Sequence, residues 1–143
     1  MKNWERLQTR ALTDFAPPVA RLLGIRALEF GDGRAVLEME ATPAHANPMG
    51  TLHGGILCDL ADLAMGAACF GGLEEGESFT TLELKVNYLK PVWSGLLRAT
   101  ATVKKPGRTT VLLECDVHDA KGSLVAFLTS TCLVLRGEMA KGR

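Results

Sequence analysis

HGGILCDLADLAMGAACFGG, running from His53 to Gly72, contains no proline and closes on Gly71-Gly72, a helix stop. A helix over 54–70 would be about 25 Å long at ~1.5 Å of rise per residue. Apart from Asp59 and Asp62 its surface is apolar nearly all round, and such a helix belongs in a core rather than on a surface. Ala61, Ala64, Gly66, Ala67 and Ala68 are small, which lets a sheet approach the axis closely.

Downstream of this helix the period changes from helical to two. Leu82, Leu84, Val86 and Tyr88 alternate with Glu83, Lys85, Asn87 and Leu89; Leu97, Ala99, Ala101 and Val103 alternate with Leu96, Arg98, Thr100 and Thr102. After a turn at Lys105-Pro106-Gly107-Arg108, Val111, Leu113, Cys115 and Val117 alternate with Leu112, Glu114, Asp116 and His118. A second turn, Asp119 to Gly122, leads into Leu124–Leu135, apolar enough to be buried on both faces. Upstream, residues 3–15 place Trp4, Leu7, Ala11, Leu12 and Phe15 at helical spacing, ending at Pro17-Pro18. A short turn from Val19 to Leu23 stops at Gly24, and Ile25–Phe30 with Arg34–Glu40 reads as a hairpin about Gly31-Asp32-Gly33. Residues 42–52, TPAHANPMGTL, form a loop. One long helix against five to six hairpin-linked strands predicts an α+β fold, with an antiparallel sheet curled round the helix.

The 143 residues predict a single domain over 1–143, with 1–20 as a helical extension. Lys plus Arg and Asp plus Glu are both 16, and this zero balance argues against a nucleic-acid backbone as the main partner. No run of some eighteen uncharged apolar residues marks a membrane span, and the amino terminus lacks the apolar stretch of a secretory signal. Cys58, Cys69, Cys115 and Cys132 lie singly in apolar stretches, without the spacing of a metal site, and read as reduced, buried small hydrophobes of a cytoplasmic protein.

In its order of elements, with His53-Gly54-Gly55 opening the long helix, Asp62 nine residues on and Asn47 six residues before, the chain resembles the hot-dog-fold acyl-CoA thioesterases. Within them it is similar to the phenylacetate-pathway (PaaI-like) branch and the human thioesterase superfamily proteins. VNYLKPV (Val86 to Val92) and KKPGRT (Lys104 to Thr109) resemble that branch's later strands, and the likeness spans residues 20–136. It implies hydrolysis of an acyl- or aryl-CoA thioester to free acid and CoA, with no metal and no cofactor beyond the coenzyme A of the substrate.

Thioester hydrolysis needs a base or nucleophile and a donor for the oxyanion. Gly54, in the first turn of the helix, offers a backbone N–H without an intrahelical partner, on the positive end of the helix dipole. Asp59 and Asp62 lie three residues apart on nearly the same face, and helix geometry does not choose between them; the family register puts the acid at Asp62. The resemblance further implies Asn47 as a holder of water or of the substrate carbonyl, and Thr81 as a hydroxyl that orients water. His53 reads as a capping or supporting residue of the site, and five residues is a poor angular match for a His53–Cys58 dyad. Gly55, Asn87 and Tyr88 are expected on the substrate, the last two on the pantetheine arm. Lys85, Lys90, Lys104, Lys105, Gly107 and Arg108 lie at strand ends and in a turn suited to CoA phosphates.

One sheet round one helix leaves its edges open. The family joins two subunits edge to edge, often pairing again into tetramers, so a homo-oligomer is expected with Asp62 of one chain facing Asn47 and Gly54 of the other. Two other activities fit the same fold: hydration of enoyl thioesters, and acyl-CoA binding without turnover. The helix opening lacks the His–Asp pattern of related hydratases, and residues 1–20 are too short for a helix-turn-helix reader.

Overall fold

The apolar stretch forms a helix, α3 (Gly54–Gly72), in a computed structural model that describes the backbone of residues 1–143 and all side chains but those of Thr13 and Phe15. By length and composition alone α3 is apolar enough to cross a membrane, which the reading of uncharged runs did not register. Its surroundings account for that character: α3 touches all six strands, and Leu57, Leu60, Ala61, Ala64, Met65 and Ala68 are buried along it. The helix runs two residues beyond its expected end. A Cβ at Gly71 would lie 2.1 Å from the Gly31 carbonyl oxygen, so this glycine permits close approach to a strand turn rather than marking the stop.

The strands are β1 (Arg26–Gly31), β2 (Arg34–Ala41), β3 (Ser78–Tyr88), β4 (Gly95–Lys105), β5 (Thr110–Asp119) and β6 (Leu124–Leu135). They form one antiparallel sheet in the order β1-β2-β4-β5-β6-β3, which leaves β1 and β3 at the edges. The face toward α3 carries Ala35, Met39, Leu97, Ala99, Ala101, Leu113, Cys115, Val117, Leu128 and Cys132, each fully buried. Alanines on helix and sheet meet across this core, which is how the sheet closes so tightly on α3. The outer face is not uniformly wet: Glu38 is 5% exposed on β2, held by Arg26 and by Arg98 at 3.0 Å. The Arg98 and Arg26 hydrogen bonds keep its carboxyl below the ordinary value against the cost of burial.

Three expectations change. The helix expected over 3–15 is a single turn, α1 (Asn3–Leu7), followed by a 3₁₀ turn at Leu12–Phe15. Gln8, Thr9 and Arg10 have no apolar face to bury, and the Arg10 N–H turns back to the Leu7 carbonyl at 3.0 Å. The anchor of α1 is Asn3, whose backbone N–H donates to the Leu73 carbonyl at 2.9 Å and whose side-chain amide donates to the Phe70 carbonyl at 3.2 Å, capping the exit of α3. Further on, Pro18 does not close a helix but opens α2 (Pro18–Leu23), which ends at Gly24 with φ 73°. The second change is Leu82, expected on the inner face, which is 56% exposed. The β3–β6 register shifts between Thr81 and Glu83, so Leu82 is a bulge residue and Thr81, Leu84, Val86 and Tyr88 share the inner face. The third is Cys58, which is half-buried rather than core, while Cys69, Cys115 and Cys132 are buried as expected.

Candidate active site

The loop before α3 is fixed by its own backbone. The His53 N–H donates to the His45 carbonyl at 2.9 Å and the Leu52 N–H to the Val92 carbonyl at 2.7 Å, which ties the helix start to the segment after β3. His53 then caps the helix: its Nδ1 accepts from the Gly55 N–H at 2.9 Å, and its carbonyl accepts from Ile56 at 3.0 Å and Leu57 at 3.4 Å. Those three bonds consume the other free donors of the first turn. Of the four first-turn amides, Gly54, Gly55, Ile56 and Leu57, that of Gly54 alone keeps no acceptor.

Gly54 belongs to the lining of a cavity of about 580 Å³. Asn47, Thr51, His53, Tyr88 and Lys90 line it too. Asn47 is held at both ends, its amide donating to Thr51 Oγ1 at 2.7 Å and its Oδ1 accepting from the Met49 N–H at 2.9 Å. Tyr88 lies against the helix opening, with its hydroxyl 3.4 Å from Cys58 Sγ. Gly55 lines the cavity, but its N–H is already given to His53, and a Cβ there would meet the same ring at 3.0 Å.

Asp62 sits elsewhere. Eight residues separate it from Gly54, about 12 Å along the axis and roughly 80° round it. It is half-buried over the edge strand, where Thr81 Oγ1 donates to Asp62 Oδ1 at 3.1 Å. The bulge at Leu82 lets Thr81 share a face with Leu84 and Val86. Behind Thr81 lies Cys132, its cross-strand partner, with Sγ 3.9 Å from the Thr81 hydroxyl. Asp59 lies one turn earlier on α3, where burial, and then the Asp62 charge, push its carboxyl above the ordinary value.

The remaining expected residues scatter. Asn87 is on the opposite face of β3 from Tyr88 and accepts from Lys85 Nζ at 3.0 Å, away from the cavity. Lys90 lines the cavity with its ammonium on Asp119 at 2.8 Å, and Lys104 pairs with Glu114 at 3.6 Å. Lys105, the last residue of β4, and Gly107 and Arg108 in the β4–β5 turn lie at the level of Thr80 and Thr81 across β6, at the acid's end of the sheet. Six residues of strand separate Lys105 from Ala99 at the cavity end, about 20 Å at ~3.3 Å per residue. Gly107 has a reason of its own: a Cβ would come within 2.3 Å of the Thr110 carbonyl oxygen. One chain thus holds a donor-bearing cavity at one end of α3 and a hydroxyl-supported acid partway along it, facing a free sheet edge. The sequence weighs Cys58 only as a core residue or as half of a dyad with His53; its place one turn after Gly54 is the signal for its contact with Tyr88.

A family model described as "Thioesterase superfamily" matches residues 49–126, more than half of the chain and the whole of α3. The chain belongs to the thioesterase superfamily. This thioesterase is 30% identical over 112 residues to 1,4-dihydroxy-2-naphthoyl-CoA hydrolase of Listeria monocytogenes, covering 78% of this chain and 91% of the relative. It is 32% identical over 111 residues to acyl-coenzyme A thioesterase 13 of Homo sapiens, covering 74% and 77% respectively. The structure of the PaaI protein from the phenylacetic acid degradation operon of E. coli superposes with a TM-score of 0.82 at 26% identity, over 94% of each chain. The fold is the hot-dog fold, and the thioesterase's chemistry is thioester hydrolysis.

Proposed function

We propose that this thioesterase hydrolyses acyl- or aryl-CoA thioesters to the free acid and CoA, at a site shared by two copies of the chain. The observation that carries the reading is the Gly54 N–H, the one first-turn donor left without an acceptor, beside a cavity of about 580 Å³. The thioester carbonyl lies against this amide, which with the helix dipole stabilises the charge that develops on oxygen. Asn47 stands on the same cavity and steadies the carbonyl or the attacking water. Asp62 of the other copy is the base, and its Thr81 hydrogen bond fixes the carboxylate in one rotamer.

As general base, Asp62 takes a proton from water as the water oxygen bonds to the carbonyl carbon and the carbonyl π pair moves onto oxygen. That pair returns, the C–S bond breaks, the thiolate of CoA leaves, and Asp62 passes its proton to the thiolate or to solvent and is ready again. A thiol pKa near 8.5 makes this departure easy without a strong general acid. The nucleophilic variant, in which Asp62 attacks directly and water then cleaves the anhydride, uses the same residues. The names of the two curated relatives, each a hydrolase of a CoA ester, support the substrate class. Lys105 and Arg108, at the acid's end of the sheet, are assigned to the CoA phosphates, which guanidinium and ammonium groups suit.

A free-thiol assay over a panel of acyl-CoA esters tests the proposal. Asp62→Asn keeps its fold and melting temperature and loses at least about a hundredfold in kcat. Thr81→Val loses a smaller factor, about tenfold, as one hydrogen bond to a charged group is removed. Full turnover by Asp62→Asn would sink the assignment.

A further inference from the structure

A phenol stands against Gly54 at the opening of α3. Tyr88 is the only tyrosine in the chain, at the end of β3 on the face that meets α3. A Cβ built on Gly54 would come within 2.6 Å of the Tyr88 hydroxyl oxygen, so the phenol is pressed on the residue whose N–H is unpartnered. The hydroxyl's partner is Cys58 Sγ at 3.4 Å, a weak hydrogen-bonding group in either direction and readily exchanged for a better one. The ring is 55% exposed and lines the cavity.

The geometry points to Tyr88 as a catalytic residue: its hydroxyl is a second hydrogen-bond donor to the thioester oxygen, beside the Gly54 N–H. This rests on the reading of Gly54 as the oxyanion donor and extends it. In the resting chain the phenol is parked on the Cys58 thiol; as charge grows on the carbonyl oxygen, it exchanges sulfur for the stronger, charge-assisted acceptor. That gain is larger in the transition state than in the ground state, which is the condition for raising kcat. The Cys58 contact, and then burial, push the phenol up to about 12, so the group stays protonated at working pH. Its proton remains on Tyr88 throughout, and the bonds made and broken are those of the hydrolysis itself.

Tyr88→Phe retains the ring on Gly54 and removes only the donor. Its kcat for acyl-CoA hydrolysis is expected to fall by at least about tenfold, with KM within about threefold of wild type. A second measurement does not depend on that variant folding. Growth on 3-fluorotyrosine labels this one ring, and its ¹⁹F resonance is expected to shift on adding an acyl-CoA ketone analogue, with CH₂ in place of sulfur, but not with CoA alone. Wild-type kcat in folded Tyr88→Phe, or equal shifts with the ketone and with CoA, would overturn the inference. If wild type releases no thiol, or Asp62→Asn turns over fully, the parent reading has failed instead.

Discussion

Asp59 and Asp62 share one side of α3 but not one environment. Thr81 donates a hydrogen bond to Asp62, whereas Asp59 is half-buried beside a like charge. With its folded pKa raised above 3.8, Asp59 releases its proton more readily in the unfolded chain than in the folded one. Below that value both states are protonated and nothing is lost; as pH rises through the folded value, native stability falls. Asp59→Asn should therefore melt at a higher temperature than wild type at pH 7, the difference vanishing near pH 3 in thermal scans. An equal or lower melting temperature at neutral pH would contradict this. None of it was legible in the sequence, where the two acids are equivalent by spacing and the Leu82 bulge that helps to place Thr81 leaves no mark. An unbroken alternation was the natural reading of Leu82 to Tyr88, and only the pairing with β6 reveals the extra residue.

At the scale of elements, α3 was readable from end to end because its apolar surface, its small residues and its lack of proline agree with one another. The exit of the helix was read by rule and has a more specific cause. Gly71 meets the β1–β2 turn at a distance no side chain tolerates, whereas a Cβ on Gly72 would find its nearest atom at 3.6 Å, an ordinary contact. Gly71→Ala is thus expected to cost about 1–3 kcal/mol in denaturant unfolding as helix and turn are forced apart. Gly72→Ala should cost much less, and equal costs for the two would mean that helix termination, not packing, explains the pair. The helix expected over 3–15 fails for a related reason: what orders α1 is the carbonyls of Phe70 and Leu73 at the exit of α3, far away in sequence, and not its own periodicity.

At the scale of the whole molecule, the open feature is the edge strand β3. It runs for eleven residues with one side unpaired, carries Leu82 and Tyr88 each more than half exposed, and supplies the Thr81 that supports the acid. Such an edge is usually covered, and a second copy laid along it would bring a foreign cavity toward Asp62. Mixing inactive Asp62→Asn chains with inactive Gly54→Ala chains, by unfolding and refolding together, should then restore about a quarter of wild-type turnover, because random pairing leaves one intact shared site in each hybrid. Absence of any recovery, with hybrids present by native mass spectrometry, would place the whole site within one chain. The proposed second copy rests on family resemblance and on the open edges that one sheet round one helix implies.

The alanines that seat α3 on its sheet carry a consequence for how such an enzyme diversifies. Side chains already reduced to a methyl group at Ala61, Ala64, Ala68, Ala99 and Ala101 leave almost nothing to trim, so a roomier berth for a bulkier acid cannot be carved from beneath the helix. Met49 and Trp93, next in sequence to loops that line the cavity and 79% and 66% exposed, can instead be exchanged without disturbing the frame.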